Sequence, residues 1–453
     1  MTITLPAPAR TPRRGTPPPV SGGLPLLGHA AQFLREPLTV LKRGRDEHGS
    51  IFSLRMPGRP TVALLGSEYS RMFFSETDHR LSARGGMPFF TRMFDSGFYM
   101  FAETEEYLRQ RQLVLPRFRG AQLHRYIEMM EAETARLIDR LGDSGEFDLL
   151  ATLGPLVMHI AARAFLGEDM SDRIREGFFA EFRRFSEGIE LVLPGWLPLP
   201  HLVRSKHSRD RLRVFLGRLL EQRRRQPMDP PDFLQTLAQA RFGDGEPVPD
   251  LILINLILLL VWAGHETTTG HISWAMIDLL RHPHELERVL REQREVLDGE
   301  PELTMARVHR LQHLGRALHE SERLHPVAFI LCRQATEAIE LDGYTIPKGA
   351  MVLASPWLTH RMAETFPDPD EYRPGRYEDD PRAAQELIGF GGGVHRCLGV
   401  HFAYLEMTVV LTRLLQRYEF ELLDPDPQPL PGTKTKWPQS PCRVRYRARG
   451  GRA

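Results

Sequence analysis

The sequence predicts a single, mostly α-helical domain with a small β region and one long helix through its centre. The first observation is residues 251–280, which begin apolar on nearly all faces, as in a helix buried inside a large protein. The second is a set of amphipathic helical segments before and after that stretch. The third is residues 51–56 and 61–65, which alternate apolar and polar side chains around Pro57-Gly58 and predict a hairpin.

Length and composition are those of an ordinary globular protein. The chain has 453 residues, of which 42% are apolar and 26% charged, so its core can be large enough to enclose a cofactor. The net charge of +1 gives no reason to expect a nucleic-acid partner. Cys332, Cys397 and Cys442 are an odd and sparse set, which argues against a disulfide framework and fits a reducing cytoplasm. Cys332 and Cys442 are most simply small core residues.

The ends of the chain predict the domain boundaries. Residues 1–23 include three consecutive prolines and a Gly-Gly pair, so we expect them to be disordered or extended. The N-terminus lacks the apolar segment of a secretory signal. The longest apolar run, residues 251–264, is shorter than the about 20 residues that span a bilayer. We therefore expect one domain over residues 24–447, a tail over 448–453, no integral membrane anchor and a cytoplasmic location.

The other elements follow from the spacing of apolar residues. Residues 172–191 and 204–226 read as helices joined by an apolar, proline-stiffened connector, residues 194–200. Residues 327–333 and 339–353 alternate or carry turn signals and predict further strands of the small sheet. The remaining predicted helices are residues 36–48, 121–141, 149–166, 285–297 and 400–418.

One stretch near the C-terminus carries the strongest chemical signal, Phe390-Gly391-Gly392-Gly393-Val394-His395-Arg396-Cys397-Leu398-Gly399. The glycines let the backbone turn tightly and approach a large, flat group. The cysteine precedes a helix, whose N-terminus is positive, and two basic residues stand beside it. We expect these surroundings to lower the pKa of the thiol, and a thiolate is a metal ligand. The alternative is a Gly-rich loop with a structural cysteine.

A second motif, Ala263-Gly264-His265-Glu266-Thr267-Thr268-Thr269-Gly270, interrupts the long helix. Two glycines and three β-branched threonines are poor helix formers at mid-helix. A threonine hydroxyl can bond back to the carbonyl one turn earlier and bend the helix. A buried glutamate is costly unless it has a partner or a role. The alternative is a kinked core helix without a role in chemistry.

Two pairs of residues share a helix face. Tyr107 and Arg111 are four residues apart, and Glu320 and Arg323 are three apart just before Leu-His-Pro. Such a pair on a surface stabilises a helix by only about 0.2–0.5 kcal/mol. Neither pair predicts a function by itself.

Taken in order, these motifs resemble the cytochrome P450 family of haem-thiolate monooxygenases over residues 20–447. The resemblance implies the cytochrome P450 fold and a haem b group whose iron has Cys397 as its metal ligand. It implies that Glu266 and Thr267 are catalytic, with Thr267 hydrogen-bonding O2 and Glu266 in the relay that supplies protons. The residues implied for cofactor binding are Tyr107, Arg111, Ala263, Gly264, Arg333, Phe390, Gly391, His395, Cys397 and Gly399.

The resemblance also assigns a fold-locking group and a substrate pocket. Glu320, Arg323 and Arg376 fall where the family has a buried ionic triad. The aromatic loop, residues 81–100, falls at the wall of the family's substrate pocket, although an ordinary surface loop is the alternative. The connector falls where the family has a lid, so that Trp196 is expected to touch substrate or a membrane surface. The implied pocket residues are Phe89, Phe98, Tyr99, Ala263, Val327, Phe329, Ile330 and Trp437.

The resemblance implies the reaction and its partners. The motifs use nearly the whole chain, so no flavin or iron–sulfur domain is expected within it. Electrons then come from separate proteins, a ferredoxin and an NAD(P)H-driven ferredoxin reductase, docking near Cys397. The expected reaction inserts one oxygen atom into a small hydrophobic substrate, and we expect a monomer.

The subfamily stays open at this point. Residues 357–361 and His395-Arg396-Cys397 resemble bacterial sterol 14α-demethylases, which cleave a C–C bond. Those enzymes have histidine in place of Glu266, and their aromatic-loop pattern is not reproduced in residues 94–102. A hydroxylase of terpenoids, polyketides or other secondary metabolites is an equal expectation. Outside this class stand a haem-thiolate isomerase or peroxygenase, against which Glu266-Thr267 argues, and a non-catalytic haem carrier.

Overall fold

The structure is a computed structural model that describes residues 15–88, 90–94, 98–99, 104–118, 122–167, 170, 176–189, 197–298 and 302–450. Within these ranges the chain is mostly helical with three small sheets, which confirms the predicted fold class. Residues 1–14 of the lead, residues 451–453 of the tail, Phe89 and Trp196 lie outside the described residues. The predictions made for them stay predictions.

Helices make up most of the chain before the central helix. The predictions at residues 36–48, 121–141 and 149–166 match closely, and the helix predicted at 204–226 begins four residues earlier. Of the helix predicted at 172–191, residues 176–186 are helical, and residues 172–175, 190 and 191 lie outside the described residues. The helices are α1 (Ala30–Arg35), α2 (Pro37–His48), α3 (Ser67–Ser75), α4 (Ala83–Gly86), α5 (Phe90–Met93), α6 (Thr104–Val114), α7 (Gln122–Leu141), α8 (Leu149–Leu166), α9 (Glu176–Ser186), α10 (Pro200–Arg225) and α11 (Phe233–Ala238).

The second half contains the central helix and the helix that follows the cysteine loop. The predicted helices at residues 251–280, 285–297 and 400–418 are all present within a few residues. The helices are α12 (Asp250–Arg281), α13 (Pro283–Leu297), α14 (Met305–Arg310), α15 (Gln312–Leu324), α16 (Pro356–Thr359), α17 (Arg376–Asp379) and α18 (Val400–Arg417). In the first half of the chain, the short helix α3 was not predicted, because its serines interrupt the helical spacing of its apolar residues.

The strands form three sheets. They are β1 (Ile51–Leu54), β2 (Thr61–Leu64), β3 (Leu81–Ser82), β4 (Ser144–Asp148), β5 (Leu331–Ala335), β6 (Ile339–Leu341), β7 (Tyr344–Ile346), β8 (Met351–Ala354), β9 (Tyr418–Leu422) and β10 (Arg443–Ala448). The main sheet has the order β1-β2-β8-β5-β3, and the others are β4-β10-β9 and β6-β7. The predicted hairpin is confirmed, with Ile51 opposite Leu64. The strand expected at residues 327–333 begins only at Leu331.

Helix α12 is the core element around which the others pack. Its 32 residues make it about 48 Å long. It contacts α8, α10, α15 and α18. Gly270 is required there, because a Cβ atom would lie 2.6 Å from Trp437 Cδ1 and 2.8 Å from Val327 Cγ1. The glycine therefore lets the C-terminal segment and the segment before β5 approach the helix.

Among the described residues, α8 and α12 are the two helices long and apolar enough to cross a membrane. Both are largely buried within the protein. Long, apolar core helices share this composition because they are surrounded by other elements of the fold on most sides. Their apolar character is thus accounted for by packing.

A buried ionic triad joins α15 to the segment before α17. Glu320 accepts hydrogen bonds from Arg323 at 2.9 Å through both carboxylate oxygens and from Arg376 Nε at 2.9 Å. Arg323 also donates to the carbonyls of His360, Pro369 and Glu371. The side chains of Glu320 and Arg323 have no exposed surface. The predicted members therefore come together, and the guanidinium of Arg323 ties three stretches of backbone to one helix.

Candidate functional site

A cavity of about 310 Å³ lies between α12 on one side and the cysteine loop with the start of α18 on the other. Its α12 wall has two leucines followed by small or polar side chains, and aromatic and apolar side chains close most of the rest. The lining residues are Met87, Tyr99, Tyr107, Phe118, Phe165, Leu259, Leu260, Ala263, Gly264, Thr267, Thr268, His271, Val327, Ala328, Leu331, Arg333, Gly389, Phe390, Gly391, His395, Arg396, Cys397, Leu398, Gly399, Phe402 and Ala403.

The glycines of the cysteine loop are explained mainly by a neighbouring helix. A Cβ atom on Gly392 would lie 2.6 Å from Phe74 Cδ2, and one on Gly393 would lie 2.8 Å from the Phe74 carbonyl oxygen. Gly391 and Gly393 also have φ angles of 70° and 61°, which glycine adopts without strain. The loop closes on itself through the Cys397 N–H, which donates to the Phe390 carbonyl at 2.9 Å. Tight packing on α3 thus shapes the loop and aims it at the cavity.

Cys397 lines the cavity, and its accessible surface faces that cavity. Burial among protein groups raises the pKa of the thiol, while a hydrogen bond from the Gly399 N–H and the charges of Arg111 and Arg396 lower it. The sequence-based expectation that the surroundings lower this pKa overall is therefore wrong. The positive end of α18 begins only at Val400, three positions after the sulfur. A bound cation would be needed to hold the group as a thiolate at neutral pH.

Polar and basic groups collect at one edge of the cavity. The His395 ring lies 4.2 Å from the Tyr107 ring, and its Nε2 lies 2.5 Å from an Asp78 carboxylate oxygen. Tyr107 donates to the Val394 carbonyl at 2.8 Å and accepts from Arg111 at 2.7 Å. Arg111 itself reaches the Arg396 carbonyl and is not among the lining residues. The predicted Tyr107–Arg111 pair therefore supports the loop, and Tyr107 and His395 meet the cavity.

Asp78 was not predicted as part of this edge. It lies in the turn before β3 with a φ of 67°, and the His395 hydrogen bond helps to lower the pKa of its half-buried carboxyl against the opposing effect of burial. Arg333 is buried beside it, donates to Thr77 Oγ1 and to the Cys332 carbonyl, and lines the cavity. A cation, an imidazole and a phenol at one edge make a site for the carboxylates of a ligand.

The side chains of Thr267 and Glu266 in the central-helix motif point in different directions. Thr267 lines the cavity and its hydroxyl donates to the Ala263 carbonyl at 2.8 Å, the back-bond expected for a threonine in a helix. Glu266 is not among the lining residues, and its carboxyl oxygens lie 3.1 Å from Thr435 Oγ1 and 3.2 Å from Ser186 Oγ. Burial raises the pKa of Glu266. The structure thus brings Thr267 but not the Glu266 carboxyl to the cavity, and sequence reasoning found neither hydroxyl partner of Glu266.

One further polar residue of α12, His271, lines the cavity one helical turn after Thr267. Its ring lies 5.4 Å from the Phe390 ring. Burial lowers the pKa of His271 to about 4, so the imidazole is neutral at physiological pH. Sequence reasoning did not predict His271, because it lies just after the glycine- and threonine-containing motif of residues 263–270.

The predicted pocket residues divide into two groups. Tyr99, Ala263 and Val327 line the cavity. Trp437 instead packs against Gly270, and its indole N–H donates to the Glu266 carbonyl at 2.7 Å. Phe329 is buried with its ring 4.5 Å from Lys436 Nζ. Phe98 stacks on Phe94, and neither Phe98 nor Ile330 lines this cavity.

The loop, the facing threonine and the basic edge form a cavity in which one cysteine faces a central helix. The family profile described as Cytochrome P450 matches residues 17–444, and the chain belongs to that family. It is 31% identical over 450 residues to a sterol 14α-demethylase of Mycolicibacterium vanbaalenii, covering 95% of this chain and 98% of that one. It is 28% identical over 417 residues to the lanosterol 14-alpha demethylase of Homo sapiens, covering 90% and 82%.

A solved structure shows the same fold. The retinoic acid-bound cyanobacterial CYP120A1 superposes with a TM-score of 0.87 and 28% sequence identity, covering 96% of this chain and 99% of that chain. The family uses haem and O2, and its members generally receive electrons from redox partners. The chain is accordingly an enzyme of the cytochrome P450 class.

The residues of the cavity fit a haem group. Ala263 and Gly264 leave one face of the slot without large side chains, and Cys397 offers a single sulfur from the other. Among the residues that the structure describes, no three His, Cys, Asp or Glu side chains come together as a metal site. A cysteine at the cavity wall is the kind of protein ligand that suits an iron whose other ligands come from a macrocycle.

Proposed function

We propose that this protein is a haem-thiolate monooxygenase that inserts one atom of O2 into a hydrophobic organic substrate. The observation that carries the proposal is the presence of Cys397 and Thr267 on the walls of the same largely apolar cavity. A thiolate-ligated haem, when bound, supplies electron density that favours O–O cleavage. Turnover by the purified protein with O2 and a reductant, giving one product hydroxyl per electron pair, tests the proposal.

The proposed cofactor is haem b, with Cys397 as its iron ligand. Arg333, His395 and Tyr107 would hold its carboxylate groups at the polar edge, while Arg111 braces Tyr107 and the cysteine loop. Phe390, Gly391 and Gly399 form the wall around the sulfur, and Ala263 with Gly264 forms the opposite wall. These residues would orient the group and limit the access of water to it.

Thr267 and Glu266 are proposed to deliver protons into the cavity. The threonine hydroxyl is at the wall, and the glutamate is the adjacent buried acid whose pKa is raised. A raised pKa lets a carboxyl group hold a proton near neutral pH and release it to a stronger base. The pair can therefore supply protons to oxygen without opening the cavity to bulk water.

Replacement of Thr267 by alanine should leave haem binding intact but divert electrons to hydrogen peroxide. Product formation should fall by at least about tenfold, because a positioned proton donor contributes about 10²–10⁴-fold to such a step. Product and peroxide are measured per reductant consumed. Thr269→Val is the control, because Thr269 is buried, back-bonds to the His265 carbonyl and does not line the cavity. Coupled turnover at the wild-type rate in Thr267→Ala would rule out the role.

Replacement of Asp78 by asparagine should weaken haem retention. The carboxylate holds His395 in place, and asparagine tolerates the left-handed φ of 67° while removing the charge. Replacing the charged acceptor by a neutral amide oxygen weakens this hydrogen bond, which should speed haem transfer to apomyoglobin by about threefold to tenfold. Asp342→Asn is the control, since Asp342 also has a positive φ but lies at the turn between β6 and β7. An unchanged transfer rate would show that Asp78 does not position His395.

The substrate class is proposed from the relatives and the apolar cavity. Similarity to enzymes named sterol 14α-demethylases supports a sterol and C–C cleavage, and the retinoic acid of CYP120A1 supports a long isoprenoid acid. Glu266, where bacterial sterol demethylases have histidine, supports a different oxidation of a terpenoid or related secondary metabolite. Titration with sterols, retinoids, terpenoids and macrolides, read by the haem spectral shift, separates these classes.

A ferredoxin and its reductase are the proposed electron donors. Arg396 is exposed next to Cys397 in the loop, where an acidic protein could dock by charge complementarity. The alternative, a peroxygenase or isomerase, needs no donor. Product formation with peroxide alone, and none with O2 and a ferredoxin system, would favour that alternative.

A further inference from the structure

We infer that Ser186 is a positioning residue for Glu266, which it holds in the protonated form, so that the proton supply is tied to the end of α9. The inference rests on the proposed monooxygenase function and extends it to a residue outside the cavity. Ser186 is the last residue of α9 and lies 80 positions before Glu266 in the chain. It is the residue through which α9 touches the acid of the central helix.

Three groups contact the Ser186 hydroxyl, and a fourth contacts the other carboxyl oxygen of Glu266. The indole N–H of Trp262 donates to Ser186 Oγ at 2.8 Å. The same oxygen lies 3.1 Å from the Phe182 carbonyl and 3.2 Å from Glu266 Oε2. The second oxygen of Glu266 accepts from Thr435 Oγ1 at 3.1 Å. Both carboxyl oxygens are thus held by hydroxyl groups, one from α9 and one from the C-terminal segment.

The number of available hydrogens favours a protonated carboxyl. A serine hydroxyl has a single hydrogen, so Ser186 cannot donate to Phe182 and to Glu266 at the same time. If Glu266 is ionised, one of these two close contacts is not a hydrogen bond. If Glu266 carries a proton on Oε2, it donates to Ser186, Ser186 donates to Phe182, and every contact is a hydrogen bond. The protonated form therefore has one hydrogen bond more than the ionised form.

The net electrostatic effect of the surroundings also favours the protonated carboxyl. Burial raises the pKa of Glu266, and hydrogen bonds donated to its carboxylate form by Thr435 and Ser186, followed by the charge of Lys434, oppose this shift with a smaller combined effect. The count of hydrogens excludes a full bond from Ser186 to the carboxylate while Ser186 also donates to Phe182. His265, the preceding residue, is neutral at physiological pH because burial lowers its pKa to about 4. Among the described residues, no cation is in direct contact with the carboxyl. The network can therefore hold a proton on Glu266, the residue before Thr267.

The position of the stored proton implies a coupling to the end of α9. The carboxyl of Glu266 points to α9 and Thr435, whereas Thr267 lines the cavity. To supply the cavity, the Oε2–H bond must break, the proton must pass inward, and the carboxylate must regain a proton from solvent. Oε2 has to separate from Ser186 for this to happen. A shift of the end of α9 away from α12 therefore releases the proton.

Infrared difference spectroscopy of the resting ferric protein tests the protonation directly. Wild type minus Glu266→Gln at pH 7 should show the C=O stretch of a protonated carboxyl group. Ser186→Ala should raise the ratio of ionised to protonated Glu266 by about fivefold, the effect of losing one hydrogen bond. Ser186→Thr, which keeps the hydroxyl, should restore the band. Carboxylate bands alone in the wild type, or no change in Ser186→Ala, would overturn the inference.

Turnover gives a second readout with a matched control. Ser186→Ala should release about fivefold more peroxide per product than wild type, and Ser186→Thr should not. Ser205→Ala is the control, because Ser205 is a buried serine that donates to the Phe185 carbonyl at 2.8 Å and has no contact with Glu266. Equal uncoupling in the Ser205 and Ser186 variants would contradict a specific role. The infrared result needs no turnover, so failure of the proposed function and failure of this inference are separable.

Discussion

Replacement of Cys397 by serine should abolish the thiolate-type spectrum of the ferrous carbon monoxide complex and all O2-dependent product formation. Cys397 is the cysteine among the described residues that line the cavity, and a thiolate is a soft, electron-donating ligand for iron. A serine hydroxyl has a far higher pKa and donates far less electron density to a metal. The expected loss of product is total within detection, which makes this the largest effect predicted for a single residue.

Two other cysteines provide the control for this substitution. Cys332 and Cys442 are buried away from the cavity, and burial raises the pKa of both thiols, to about 12 and about 11. Cys332→Ala and Cys442→Ala should keep the thiolate-type spectrum. If Cys397→Ser kept that spectrum while either control lost it, the ligand assignment would be wrong.

Replacement of Glu320 by glutamine should destabilise the protein by about 3–5 kcal/mol, because removing one partner of a buried ionic group leaves the others uncompensated. Arg323 and Arg376 would remain buried, each within 2.9 Å of a neutral amide. That loss is a large part of the about 5–15 kcal/mol that stabilises a typical folded domain. Urea unfolding followed by circular dichroism measures it, and low yield of soluble protein would accompany it.

An exposed ion pair is the matched control for the triad. Glu221 pairs with Arg225 on α10, and both side chains are more than half exposed. Glu221→Gln should change the free energy of unfolding by no more than about 1 kcal/mol, the usual range for a surface pair. If Glu320→Gln had an equally small effect, the triad would not lock the fold.

The contiguous motifs made the main features of the site predictable. The loop from Phe390 to Gly399 combines turn-forming glycines with one cysteine before a helix, and the structure brings that cysteine to a cavity wall. Thr267 is on the facing wall. Its helix was expected to be central because an apolar helix of that length has to be buried. The spacing of Glu320 and Arg323 on one helical turn made these two members of the triad predictable. Local spacing was sufficient in each case.

Contacts between distant segments could not be predicted in the same way. Asp78 is 317 positions from His395, and Thr435 is 169 positions from Glu266. Neither partner belongs to a motif, and a serine or threonine hydroxyl is too common to mark a site by itself. The pKa of Cys397 was expected in the wrong direction, because helix position and charge are legible in a sequence but depth of burial is not. Tertiary packing decides these features.

X-ray absorption at the iron edge of the purified wild-type protein tests the central claim most directly. The ligation of iron by Cys397 predicts one sulfur neighbour in addition to the nitrogens of the macrocycle, and loss of that sulfur in Cys397→Ser. Iron surrounded only by nitrogen or oxygen neighbours, or a protein that takes up no haem, would contradict it.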